Sequence, residues 1–225
     1  MRRTQVRYLA RQPIFNQRRQ PVAYELLFRS GREDSAIISP GENASQQTLD
    51  SSVMIGLDVI CGDRAAYLNC TRELLLGEDI RLLPSERVVL EILEYVEPER
   101  EVLEACRELK QAGFRIALDD FIPGESNRRF LPYADILKVD VRSTTAKQRR
   151  AIVNEFFGKF SLLAEKLETE DEFSQVQAAG FDVFQGYYLG KPELFSTASV
   201  SPEHLRQMRV ATKASMHLNS AAQTA

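Results

Sequence analysis

The chain has 225 residues, 44% of them apolar and 27% charged, values that suit one substantial core and are too small for two comfortable ones. A formal net charge of −3 offers no broad positive field for duplex nucleic acid, and no apolar run reaches the roughly 20 residues of a membrane span, so a cytoplasmic protein is expected. Histidine occurs only at positions 204 and 217, and Cys61, Cys70 and Cys106 form no paired spacing, so a histidine-held zinc ion or a Ser-His-Asp triad has no basis and a metal would be held by oxygen, as Mg²⁺ or Mn²⁺ are.

The basic start, MRRTQVRYLARQPIF, lacks the sustained apolar stretch of a secretory signal. The first strand is predicted in YLARQPIF, with Gln12, and the second in VAYELLFR, with Glu25 and Arg29. Only NQRRQ joins them, which permits a hairpin and no parallel crossover, so one strand of the sheet must run antiparallel. A polar loop then leads to a predicted helix, QQTLDSSVMIGLDVI, and to the strand AAYLNC with Asn69. TRELLLG reads as a helix with Thr71 as its N-cap. The strand VVLEILE carries Glu91 and Glu94, and the helix after it opens at Pro98 and closes at Gly113. RIALDD supplies Asp119 and Asp120, ILKVD supplies Lys138 and Asp140, LLAEKLE supplies Glu165 and Glu168, and VFQGYYL supplies Gln185, with helical patterns between them. Thr169 and Gly180 punctuate the last of these helices.

Strand and helix in alternation predict parallel strands with helices outside, and near-continuous apolar strands predict burial of both faces. No glycine-rich phosphate-binding turn follows the first strand, so the expected fold is α/β, a TIM-like (β/α)8 barrel with one antiparallel strand, over residues 1–195. Residues 196–225 are expected to add an amphipathic helix and a tail, which could cap the barrel, mediate self-association or begin a second domain.

Polar groups at corresponding strand ends are costly unless a site needs them. Each has a plainer alternative. Asp119 or Asp120 could cap a helix, Glu91 could pair with Lys138, Asn69 could close a turn, and Gln185 could bond backbone. Strand alternation points one of the adjacent aspartates inward and the other to the rim, while Glu94 has the opposite parity to Glu91. Together two carboxylate strands, an aspartate pair and a lysine suit two-metal phosphodiester hydrolysis, with Arg29 placed to hold a phosphate.

With these residues in hand, the chain resembles the EAL domain, the cyclic-di-GMP-specific phosphodiesterase family, over about residues 8–195. Glu25-Leu26-Leu27-Phe28-Arg29 resembles the signature strand, with Leu26 where Ala is usual. Glu91-Ile92-Leu93-Glu94 resembles EITE, Asp119-Asp120-Phe121 resembles DDF, Lys138-Val139-Asp140 resembles KID, Glu165-Lys166-Leu167-Glu168 resembles EGVE, Gln185-Gly186-Tyr187 resembles QGY, and Gln12-Pro13-Ile14 resembles QPI. The opening further resembles the subgroup in which an HDOD domain follows. The resemblance implies a first Mg²⁺ or Mn²⁺ ion on Glu25, Asn69, Glu91 and Asp119, and a second on Asp119 and Asp120. Lys138 and Glu165 would act on its water, and Gln12, Arg29 and Gln185 would contact cyclic-di-GMP. Glu94, Asp140 and Glu168 would support these from behind. The implied reaction opens cyclic-di-GMP to linear pGpG. A homodimer and a protein partner are further candidates, and the alternative function is a catalytically degenerate module that binds the dinucleotide or a protein. The sequence departs from the family at Ile122-Pro123-Gly124-Glu125-Ser126-Asn127, where GTGYSSL is usual, and at Lys166-Leu167, where Gly-Val is usual.

Overall fold

The eight predicted strands close into a barrel, and the reason is visible along its inner wall. The computed structural model describes residues 7–29, 44–49 and 56–197. Strands β1 (Arg7–Asn16), β2 (Pro21–Arg29), β3 (Ala65–Cys70), β4 (Val88–Ile92), β5 (Arg115–Leu118), β6 (Ile136–Asp140), β7 (Ser161–Glu165) and β8 (Val183–Phe184) follow one another around the ring, and β1 returns to β2 to close it. Every pairing from β2 to β8 is parallel, and β1 is antiparallel to both of its barrel neighbours. The hairpin between β1 and β2 turns on Asn16, whose Oδ1 accepts from the backbone N–H of Arg18 at 2.9 Å and of Gln20 at 3.0 Å.

One residue per strand fills the floor of the barrel: Ile14, Ala23, Tyr67, Val89, Ala117, Ile136 and Leu163, all buried, with Val183 packed beside them. Side chains on a strand repeat every second residue, so the next inward position toward the mouth holds Gln12, Glu25, Asn69, Glu91, Asp119, Lys138, Glu165 and Gln185. Asp119 and Gln185 lie one residue past the ends of β5 and β8. Because β1 runs the other way, its polar residue precedes its floor residue, which is why Gln12 sits in mid-strand in the sequence.

The outward faces of the strands pack on the helices in a second, larger core that includes Leu68, Leu90, Ile116, Leu137, Leu162 and Phe184. Helices α1 (described over 44–49), α2 (Leu57–Cys61), α3 (Arg72–Leu76), α4 (Arg100–Gln111), α5 (Glu125–Arg128), α6 (Ala146–Phe156) and α7 (Glu170–Ala179) supply its other side. Thr71 caps α3, and Thr145 and Thr169 form full capping boxes with Gln148 and Glu172. No helix among the described residues is long and apolar enough to cross a membrane.

The structure corrects the sequence reading at two points. The helix expected across 46–60 is interrupted, because Gly56 has φ 86, which no right-handed helix accommodates. A ninth strand, β9 (Glu193–Thr197), which the sequence pattern did not suggest, pairs antiparallel with Arg7–Arg11 of β1. It uses the part of β1's edge that the two-residue β8 leaves free, and Arg11 ties the two strands by an ion pair to Glu193 at 2.9 Å. The expected C-terminal helix lies outside the described residues.

Gly186 follows β8 where the backbone meets that of Leu167. A Cβ at Gly186 would stand 2.1 Å from the Leu167 carbonyl oxygen and 2.3 Å from its nitrogen. Both are backbone atoms of a segment tied to β8 by the Leu167 N–H to Gln185 C=O bond, so the overlap cannot be relieved by a rotamer. Gly186→Ala is therefore expected to cost about 1–3 kcal/mol, seen as a Tm fall of roughly 2–12 °C by calorimetry. Gly124→Ala, with nothing closer than 3.8 Å to the new methyl, should leave Tm nearly unchanged.

Candidate active site

A single ammonium organises the mouth. Lys138, 1% exposed, reaches the barrel axis from β6. Its Nζ lies 2.8 Å from Asp119 Oδ1, 3.1 Å from Glu165 Oε2 and 3.8 Å from Glu25 Oε2, and it also contacts Glu91 Oε1. One cation among four carboxylates leaves an excess of three negative charges in a buried place. The response differs from one acid to the next. Burial pushes Glu91 well above the usual carboxylate range, with Lys138 pulling it back only in part. Burial likewise lifts Glu165 to about 8 against the pull of Lys138. Asp119 is also raised by burial, but Lys138, then a hydrogen bond from Glu91, then Lys166 outweigh this and hold it below its ordinary value. Burial would lower Lys138, yet Asp119, Glu165, Glu25 and Glu91 together hold it well above the ordinary lysine value. In this state protons on the deeper acids supply the positive charge that the cluster lacks.

Amides orient the carboxylates. Gln185 Nε2 donates to Glu25 Oε2 at 2.7 Å, and Asn69 Nδ2 donates to Glu25 Oε1 at 3.3 Å. This turns the two amide oxygens away from Glu25. Asn69 Oδ1, Gln185 Oε1, Glu91 Oε2 and Glu165 Oε1 are all buried without a hydrogen-bond partner. Among the described residues one other side-chain atom, Arg87 Nε, shares that condition, so the unpartnered oxygens concentrate at the mouth. Carboxylate and amide oxygens in excess, with negative charge unbalanced, fit a hard divalent ion such as Mg²⁺ or Mn²⁺. Glu25, Asn69, Glu91 and Asp119 are the residues that could hold it.

The rim forms a second tier. Asp119 and Asp120 occupy the turn after β5, which Phe121 pins by burying its ring edge-on to Phe156 at 5.5 Å and by its N–H bond to the Lys138 carbonyl. Oxygens of Glu94, Asp119 and Asp120 come within 4.8 Å of one another, so Glu94 belongs to the group of candidate ligands despite its parity. It does so because β4 ends at Ile92 and alternation no longer governs the residues beyond it. Asp140 Oδ1 accepts from the N–H of Arg142 at 2.7 Å and closes the turn after β6. Glu168 is exposed and paired with Arg142 at 2.5 Å, both lining the cavity. Gln12 Nε2 donates to the Gly190 carbonyl at 3.2 Å, at the edge of the cavity. The side chain of Arg29 lies outside the described residues.

The rim also holds residues that sequence reasoning did not assign. Lys166 Nζ stands 3.0 and 3.1 Å from the two oxygens of Asp120 and 2.8 Å from Asp140 Oδ2. The signal for it was its departure from the family pattern. Lys166 and Asp120 both have left-handed backbone, φ 60 and φ 41, which costs about 1–3 kcal/mol per residue. Exposed Tyr95 and Tyr187 line the entrance of the cavity, which measures about 560 Å³. That volume is in the range of pockets for small organic ligands.

Removing the central ammonium strands four acids, so Lys138→Met should lower the stability of the metal-free protein by about 3–5 kcal/mol. Thermal unfolding in EDTA would show the loss, and Mn²⁺ in place of EDTA should restore part of it.

The comparisons with known proteins agree with this geometry. The chain is 36% identical over 208 residues to the cyclic di-GMP phosphodiesterase CdgJ of Vibrio cholerae, covering 90% of this chain and 48% of that protein. It is 34% identical over 201 residues to the uncharacterized protein YuxH of Bacillus subtilis, covering 86% and 49%. The chain thus spans about half the length of these curated relatives. Among solved structures, a manganese/cy-diGMP complex of Klebsiella pneumoniae BlrP1 superposes with a TM-score of 0.67 at 19% identity, over 88% of this chain and 60% of that one, which reports on the fold. The EAL domain family model matches residues 70–192, from Cys70 beside the Asn69 amide through the strand ends at Glu91, Asp119, Lys138, Glu165 and Gln185, and with more than half of its length so matched the chain belongs to the EAL domain family.

Proposed function

We propose that this domain hydrolyses cyclic-di-GMP to linear pGpG with a divalent metal ion held in the barrel mouth. The observation that carries the reading is the group of buried, unpartnered oxygens on Asn69, Glu91, Glu165 and Gln185 around an under-neutralised acid cluster. CdgJ, a relative at 36% identity, is a cyclic di-GMP phosphodiesterase, and BlrP1, which shares the fold, is a manganese/cy-diGMP complex. Both support the assignment.

Glu25, Asn69, Glu91 and Asp119 would hold the ion, and when bound it supplies Lewis acidity toward a phosphate oxygen and makes a coordinated water more acidic. The chain's own groups do the remaining work. The free Oε1 of Glu165 is the base that takes the proton of the attacking water. Its carboxyl, lifted by burial to about 8, is tuned near working pH. Lys138 keeps Glu165 and Asp119 in place and stabilises negative charge developing on the phosphate. Gln185 fixes the rotamer of Glu25 through its amide nitrogen. Tyr95 and Tyr187 offer exposed aromatic faces at the entrance to a guanine base.

A second reading, a dinucleotide-binding module without turnover, is favoured by Lys166 on Asp120, because that carboxylate is the one the resemblance assigns to the second ion. One assay separates the two. Incubated with cyclic-di-GMP and Mn²⁺, the chain should release pGpG, and either EDTA or Glu25→Ala should reduce this to background. Binding by calorimetry with no product would favour the module instead.

Glu165 must be ionised to accept a proton, so turnover should rise with pH through the range in which its carboxyl titrates, which lies at about 8 in the metal-free protein and lower with a dication beside it. Glu165→Gln should be slower by about 10²–10⁴-fold and lose that rise. A wild-type profile that falls over the same interval would remove Glu165 from the role of base.

A further inference from the structure

We infer that Lys166 takes the place of a second divalent ion, so that the mouth binds one metal and carries a tethered ammonium beside it. This rests on the reading of the mouth as a metal site and concerns how many ions it takes. The family resemblance predicts a second ion on Asp119 and Asp120, and Glu94 brings a third carboxylate to the same place. That place already holds a cation. Lys166 Nζ is within hydrogen-bond distance of both Asp120 oxygens, at 3.0 and 3.1 Å, and of Asp140 Oδ2, at 2.8 Å. Neither oxygen of Asp120 is left without a charged partner.

The charges of the two tiers differ accordingly. When fully ionised, the inner tier sets four carboxylates against Lys138 and is short of three positive charges, a shortage that protons on Glu91 and Glu165 relieve in the metal-free protein and that an ion could relieve in their place. The rim sets Glu94, Asp120 and Asp140 against Lys166 and is short of two. A dication entering the protein is drawn to the inner tier. A second dication at Asp120 would meet the Lys166 ammonium across a single carboxylate, and it would have to displace that ammonium to gain either oxygen.

The backbone argues that this lysine is held in place by its contacts. Lys166 sits at φ 60 in the turn between β7 and α7, and its partner Asp120 sits at φ 41 after β5. Glycine or asparagine would occupy either position with less strain, so the ion pair joins two strained turns across the mouth. Lys166 is about half exposed, so its ammonium also faces the cavity, where it can donate to a phosphate oxygen. An ammonium cannot act as a Lewis acid on water, so Lys166 is a positioning residue and the single inner ion carries the metal chemistry.

Metal stoichiometry tests this without reference to turnover. Metal-free chain is titrated with Mn²⁺ under equilibrium dialysis, and bound ions are counted and examined by electron paramagnetic resonance. Wild type should bind one Mn²⁺ with an uncoupled spectrum. Lys166→Gly should bind two, with the exchange-coupled spectrum of ions about 3.5–4 Å apart. Lys166→Arg, which keeps the charge, should bind one. Lys166→Asn is the second neutral variant, should the glycine substitution compromise folding by circular dichroism. Two ions on wild type, or one ion on wild type and on the neutral variants alike, would overturn the inference and leave the metal site standing. No ion on wild type would overturn the metal site itself.

Discussion

The contact on which the mouth depends is that of the Lys138 ammonium with Glu25, Glu91, Asp119 and Glu165. Four acids cannot be packed at the end of a barrel in their ionised form without a cation, because each would lose its hydration and gain three like-charged neighbours. One lysine from β6 makes the arrangement tolerable, and protons on the deepest acids complete it. The same shortage of positive charge that weakens the metal-free protein would draw a divalent ion to the proposed site. Stability and binding here are two sides of one electrostatic deficit.

That deficit can exist because the floor beneath it is closed. Ile14, Ala23, Tyr67, Val89, Ala117, Ile136 and Leu163 fill the barrel one period below the polar ring, so no water reaches the acids from underneath. The ring therefore opens in one direction only, toward the cavity bounded by Tyr95, Tyr187 and the rim aspartates. A polar group raised by one period would stand in solvent, and one lowered by one period would be buried with nothing to pair with. The two-residue repeat of the strands sets this level for every member of the ring, including Gln12 on the strand that runs the other way.

The regular part of this was legible in the sequence for that reason. A period of two, an apolar residue at each floor position and a polar one above it can be read along each strand, and the five-residue NQRRQ link by itself dictates the antiparallel β1. Where periodicity ends, the pattern gave no guide. Glu94 lies past the end of β4, so its parity to Glu91 no longer said where it points. β9 uses a stretch of β1's edge that is vacant only because β8 is two residues long, a fact of three-dimensional packing. The break at Gly56 replaced a continuous helical pattern because a single residue took φ 86. Lys166 was visible as a departure, but its partners Asp120 and Asp140 come from the turn after β5 and the end of β6, and no spacing rule connects them.

The turns of the rim are less constrained than the inner ring. The inner ring is constrained on every side: by the floor, by the amides of Asn69 and Gln185 on Glu25, and by Lys138. The rim is built from turns after β4, β5, β6 and β7, whose backbone is set by local contacts such as the Asp140 carboxylate on the Arg142 N–H and the Phe121 ring on Phe156. A substitution there can move a positive charge into or out of the mouth without disturbing a strand. Replacing a mobile ion by a side-chain ammonium trades Lewis acidity for permanence: the charge no longer depends on metal concentration, but it cannot sharpen a water into a nucleophile. A chain with one ion within the ring and one lysine on its rim would therefore respond to metal supply along a simple hyperbola, where a two-ion mouth would show a steeper dependence.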